Sequence, residues 1–196
     1  TTLTVGGGLL SPATAYEYYV RADCNNGTFS AWTGPFAFTT TQIPGTMPYT
    51  ENFEGNQGWS LSNGAQTNKW FIGTAVNNGG TKSLYVSNDN GLNNTYTNTT
   101  STVHAYRDIQ MPTNPAMQQL KLTFDWRGQG DAGDYLRVWI GNTTFAPTPG
   151  TLMVAANATP VTPVNLNLSG GGFVTATYII PAATGYSGTI KRLFFE

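Results

Sequence analysis

An all-β fold built from sandwiches is the class this sequence predicts, and three observations predict it. No stretch sustains a 3.6-residue periodicity, and helix-length segments are broken by Gly, Pro or Asn-Gly pairs. Strand-forming Tyr, Phe, Val and Thr recur in short runs. The runs are punctuated by the turn dipeptides Asn26-Gly27, Asn63-Gly64, Asn78-Gly79 and Asn90-Gly91.

Taken in chain order, the predicted strands are Leu3-Val5, Tyr16-Asp23, Pro35-Thr40, Trp70-Gly73, Ser83-Ser87, Ser101-Asp108, Leu120-Trp126, Tyr135-Ile140, Phe173-Ile180 and Thr189-Phe195. In LKLTFDW, Leu120, Leu122, Phe124 and Trp126 share one face, while Lys121, Thr123 and Asp125 share the other. YLRVWI sets Leu136, Val138 and Ile140 against Tyr135, Arg137 and Trp139, which leaves Trp139 as the aromatic on the face away from the core. The segment TTTQIPGTMP, with two prolines and no alternation, divides the chain, so residues 1–41, a linker at 42–48 and residues 49–196 form the predicted organisation. The opening TTLTV and the closing IKRLFFE both read as strand, and the chain is expected to be an internal piece of a longer protein.

Composition narrows the function classes. Only 10% of the 196 residues are charged and the formal net charge is −1, so no basic face is available to neutralise nucleic-acid phosphates or anionic lipid. The apolar runs are too short to span a bilayer. One cysteine, Cys24, and one histidine, His104, exclude an internal disulfide framework and a Cys/His zinc cluster. Cys24 is expected either to pair outside this chain or to be buried and free. His104 lies without a Gly-x-Ser-x-Gly elbow anywhere in the chain, and reads as a surface or strand-packing residue rather than a catalytic base.

Two resemblances follow from ordered motifs. Leu10-x-Pro12-x-Thr14-x-Tyr16, Tyr18-Tyr19-Val20-Arg21-Ala22, Ser30-x-Trp32 and Phe36-Ala37-Phe38-Thr39-Thr40 are similar to the C-terminal half of a fibronectin type III domain. There the Tyr16 ring would be buried and its hydroxyl bonded to upstream backbone. Tyr49-Thr50-Glu51-Asn52-Phe53-Glu54-Gly55 with Gly58-Trp59, then Trp70 with Ile72-Gly73, Ser83 to Asp89, Ala105 to Ile109, Leu122 to Trp126 and Asp134 to Val138, run in the order seen in cleaved-adhesin, or choice-of-anchor J, domains. This part of the chain resembles those MAM-like jelly rolls of secreted Bacteroidota proteins. The resemblance implies a jelly-roll sandwich, with Trp59 and Trp70 in the core, Phe53 in its first strand and a last strand still to come.

Calcium is the expected ion, since it takes six to eight oxygens and the chain is rich in Asn and Asp at turns. Glu54, Asn88 and Asp89 are the candidate ligands, with Asn52 and backbone carbonyls around Asn77 to Gly80 as helpers; the resemblance implies the same use of Glu54. Asn88-Asp89-Asn90-Gly91 equally reads as a tight turn. Glu51 is expected to be solvated, and Gly130-Asp131-Ala132-Gly133-Asp134 reads as a polar loop. Trp139 is the candidate sugar-stacking residue.

The function expected is non-catalytic: a binding or adhesion module of a large secreted or cell-surface bacterial protein, of the type carried by type IX secretion and linked to adhesion or gliding motility. The alternative is an ancillary module of a secreted protease or polysaccharide-degrading enzyme whose catalytic domain lies elsewhere. The expected partner is an extracellular glycan or protein, with secretion-machinery components as a second partner class, and no membrane insertion.

Overall fold

The computed structural model describes residues 10–25, 27–55, 58–181 and 185–196, and among them every regular element is a strand. The predicted strand at Leu3-Val5 lies outside the described residues, as does Asn26 of the first turn dipeptide. The chain divides between Ile43 and Pro44 into two compact units.

In the first unit, β1 (Ala15–Val20) pairs antiparallel with β2 (Thr33–Thr39). Register sets Tyr16 opposite Phe38 and Tyr18 opposite Phe36, and both pairs stack, with ring centroids 5.7 and 5.2 Å apart. Such cross-strand aromatic pairs are the main stabilisation open to a two-stranded ribbon. The Ser11 amide donates to the Tyr16 hydroxyl at 2.7 Å, so this tyrosine reaches the upstream backbone as its setting in sequence implied. The Cys24 thiol is exposed and unpaired among the described residues, which disposes of the buried alternative.

The second unit is a sandwich. One layer is a six-stranded sheet in the order β10 (Ala158–Pro160), β9 (Val138–Asn142), β12 (Ile190–Phe195), β7 (His104–Gln110), β3 (Gly45–Thr46), with β4 (Ser60–Ser62) also on β7. Facing it are two antiparallel ribbons, β5 (Lys69–Gly73) with β6 (Ser83–Ser87), and β8 (Gln119–Trp126) with β11 (Val174–Pro181). Ala105, Ile109, Val138, Ile140 and Leu193 from the sheet meet Leu120, Ile180 and the partly buried Trp70, Leu84, Leu122 and Phe124 from the ribbons, and Trp59 joins them.

The sheet is also covered on its other face. Period-2 alternation turns Tyr106 of β7, Phe194 of β12 and Trp139 of β9 away from the ribbons, and these three join Met153 and Phe145 in a second, smaller cluster. Both faces of the strand are therefore buried at Val138 to Ile140, and Trp139, 5% exposed, is not the free aromatic its alternation predicted. Residues 143–157 lie over that face, and the tryptophan is packed beneath them.

Three further expectations are corrected. The segment read as a linker contributes Gly45–Thr46 to the sheet, parallel to β7. Phe53 is not in a strand: it sits in a turn at φ 62°, its ring 5.9 Å from that of Trp59. The turn is held by the Phe53 amide donating to Glu51 (2.8 Å) and the Glu54 amide donating to Asn52 (3.2 Å). Glu51 also accepts from the Tyr49 hydroxyl at 2.7 Å, so it is an engaged turn anchor rather than a solvated residue.

One pair of charged groups on the second face is matched internally. Arg192 grips Asp108 with two bonds, 2.6 and 2.9 Å, both side chains being nearly buried. Removing one partner of such a pair strands a charge, whereas replacing both with apolar groups leaves none. Arg192→Met is therefore predicted to lower stability by about 3–5 kcal/mol, with Asp108→Leu/Arg192→Met recovering most of it, as read by urea denaturation of the four species.

Candidate functional site

An open cleft of about 1230 Å³ lies within the second unit. Its floor is the aromatic and aliphatic inner layer, including Trp59, Leu193 and Phe195. Its walls come from the two ribbons: Ser83 to Val86 of β6 on one side and Lys121 to Trp126 of β8 on the other. Within the described residues β6 pairs only with β5 and β8 only with β11, so the ribbons do not join into one sheet over the floor. This discontinuity is what leaves the cleft open.

Alternation in β8 decides which groups face the floor. Leu122, Phe124 and Trp126 point inward, with Phe124 5.4 Å from Phe195, while Asp125 stands at the rim. The Asp125 carboxylate accepts from Thr175 (2.6 Å) on the neighbouring strand and from the Asn78 amide (2.8 Å) on the loop between β5 and β6, tying the two walls together at one end. Tyr96 marks another part of the rim, where its hydroxyl is shared between Asp134 (3.0 Å) and the Gln129 carbonyl (3.1 Å). Asp131 and Asp134 are occupied within their own loop by the Gly133 and Asp131 amides, so the acidic segment is a self-satisfied turn, as its sequence predicted.

Two asparagines that read only as turn formers hold this region together. The Asn63 side chain pairs with both backbone groups of Trp70, at 2.7 and 2.9 Å, acting as a one-residue extension of the ladder beside β5. Buried Asn68 accepts from the Thr97 amide (2.9 Å) and donates to the Thr97 and Thr99 carbonyls, both at 3.0 Å. The irregular segment that forms the rim around Thr97 is pinned by this one side chain. Nothing in the sequence distinguishes these two asparagines from the many others.

The residues singled out as calcium ligands do not converge. Glu54 faces the loop after Asn78: its Oε1 accepts from the Thr81 amide (2.7 Å) and the Lys82 amide (2.9 Å), and its Oε2 takes the Thr81 hydroxyl. Those bonds, the Thr81 hydroxyl first, hold its carboxyl below the usual range. Gly80 lies against this carboxylate, so a Cβ there would displace the end of the Glu54 side chain. Asn88 and Asp89 serve a different turn: Asn88 Oδ1 accepts from the Thr95 hydroxyl (2.9 Å), and Asp89 accepts from Ser87 Oγ (2.6 Å), Asn93 Nδ2 (2.7 Å) and the Asn93 amide (3.0 Å). Asn90 and Gly91, both left-handed at φ 62° and 85°, close that turn in the way an Asn-Gly pair favours.

Glu54 and Asp89 thus have donors, not fellow acceptors, around them, and no group of three or more His, Cys, Asp or Glu gathers among the described residues. This donor set does not fit a calcium cage, and the geometry gives both residues the work of anchoring loops. Ser87 and Asn93 lower the Asp89 pKa to about 2.

Both carboxyls are depressed in the folded state. Their anchoring is therefore complete above the ordinary carboxylate range and is lost as pH falls, for Asp89 between about pH 4 and pH 2. Asp89→Asn is predicted to remove this acid dependence and loosen residues 87–95 at neutral pH, read by amide exchange, with calcium making no difference in either protein. No protein-family model, curated protein or solved structure matches this chain.

Proposed function

We propose that the chain is a non-catalytic binding module of a secreted or cell-surface bacterial protein, and that its second unit takes an extracellular glycan in the cleft between the two ribbons. The observation that carries this reading is the cleft itself: an open floor that includes aromatic rings, rimmed by fixed carboxylates and amides. Sugars present apolar ring faces and dense hydroxyls, so they are held by an aromatic platform beside oriented acceptors and donors.

Trp126 supplies the platform at the inner edge of β8, in place of Trp139, which is packed under residues 143–157. Asp125, Tyr96 and Asp134 supply rim acceptors that are already oriented by Asn78, Thr175 and the Gln129 loop. Preorganised groups of this kind bind with less ordering cost. His104, the single histidine of the chain, is buried and does not line the cleft.

The test is a glycan array probed with the intact chain. The reading predicts binding to a defined set of glycans and at least a tenfold loss in Trp126→Ala, with Trp139→Phe unaffected. Absence of any glycan hit, or equal binding by Trp126→Ala, would overturn it.

A further inference from the structure

Among the described residues, the outer face of the six-stranded sheet is covered by residues 143–157, which run between β9 and β10 without joining the ladder. Phe145 and Met153 plug this segment onto Tyr106, Trp139 and Phe194. Its remaining ties are single polar bonds. Arg192 donates to the Phe145 carbonyl (2.9 Å), Ser62 to the Pro147 carbonyl (3.0 Å), and the Gly150 amide to the Thr102 carbonyl (2.8 Å). At its far end the Met153 amide donates to Glu196 (3.2 Å) and Arg137 to the Met153 carbonyl (3.3 Å). A segment with few buried contacts and isolated hydrogen bonds is one that opens before the sheet beneath it.

Under this strap lies His104, at the start of β7 and opposite Ser62 of β4. Its exposure is 0%, and neither ring nitrogen makes a well-formed hydrogen bond among the described residues, the Thr151 backbone of the strap being the polar group that approaches the ring. A neutral imidazole carries one N–H and one acceptor, so the closed strap leaves the ring poorly matched; an imidazolium would bury two donors and a charge. The ionised groups acting on it are Glu196, from the end of β12, which favours the cation, and Arg137, ahead of β9, which opposes it. Glu196 is already committed to Arg137 (2.9 and 3.0 Å), the Trp139 indole N–H (2.8 Å) and the Met153 amide. The other ionised pair on this face, Arg192 with Asp108, is matched within itself.

We propose that residues 143–157 form an acid-released strap: protonation of His104 opens the segment and uncovers the aromatic face of Tyr106, Trp139 and Phe194. The direction follows from burial, which is the largest influence on His104 and depresses its pKa, outweighing Glu196 and the Thr151 backbone of the strap. With the strap open the ring reaches water and titrates near 6.5. Closure is therefore strongest above that value and weakens as pH falls through it.

Hydrogen exchange by mass spectrometry on the intact chain, with rates corrected for intrinsic pH dependence, tests this. Peptides within residues 143–157 should exchange faster at pH 5 than at pH 7, by up to about 30-fold, the cation-to-neutral ratio of a free imidazole at pH 5. Peptides from β12 should stay protected, and His104→Leu should abolish the difference. Because the chain has a single histidine, its imidazole titration by NMR needs no assignment and should fall below the ordinary value in the wild-type protein, whatever the fate of the variant. Equal strap exchange at the two pH values, equal acceleration in β12, acid acceleration that persists in His104→Leu, or an imidazole titrating at or above the ordinary value would each overturn the proposal.

Discussion

Strand β12 has to be buried on both faces, and most of the second unit follows from that constraint. It lies between β7 and β9, so its backbone is paired along both edges. Leu193 and Phe195 turn toward the ribbons, and Arg192, Phe194 and Glu196 turn the other way. A strand with one apolar face can leave its other face in water; this one cannot, because Phe194 is fully buried. The sheet therefore needs a second cover, and residues 143–157 provide it. The charged neighbours of Phe194 then require partners in a place where water is scarce, which Asp108 and Arg137 supply.

The same constraint explains the asymmetry of the sandwich. One side of the sheet is closed by a strap held on polar ties, and the other by two ribbons that do not join. Strap and cleft are the two places where the fold is least continuous, and binding surfaces concentrate where a rigid scaffold carries irregular chain. The loops at the cleft are rigid for a separate reason. Glu54, Asn63, Asn68 and Asp89 each stand in for a missing backbone partner, so segments with little apolar content keep a fixed shape.

Much of the fold was legible because strands with one wet face carry a period of two. β8 and β11 were predicted to within a residue at either end, and β6 without error, while β7 was placed too early because Ser101-Thr102-Val103 looks strand-forming but stays outside the ladder. β3, β4 and β10 were missed because two or three residues cannot display a period. Trp139 shows the deeper limit. Alternation tells which face a side chain takes, and not whether a distant segment will cover that face. Glu54 shows a similar one: composition gives an oxygen-rich turn, but only geometry shows whether its neighbours present oxygens or N–H groups.

Residue-resolved amide exchange across a denaturant series tests the role of β12 most directly. If the doubly covered strand organises the unit, the Leu193 and Phe195 amides exchange only through global unfolding, with a free energy equal to that from the denaturant melt, while β5, β6 and the strap open at lower cost. Exchange of β12 through a smaller opening, with the ribbons still protected, would contradict the account.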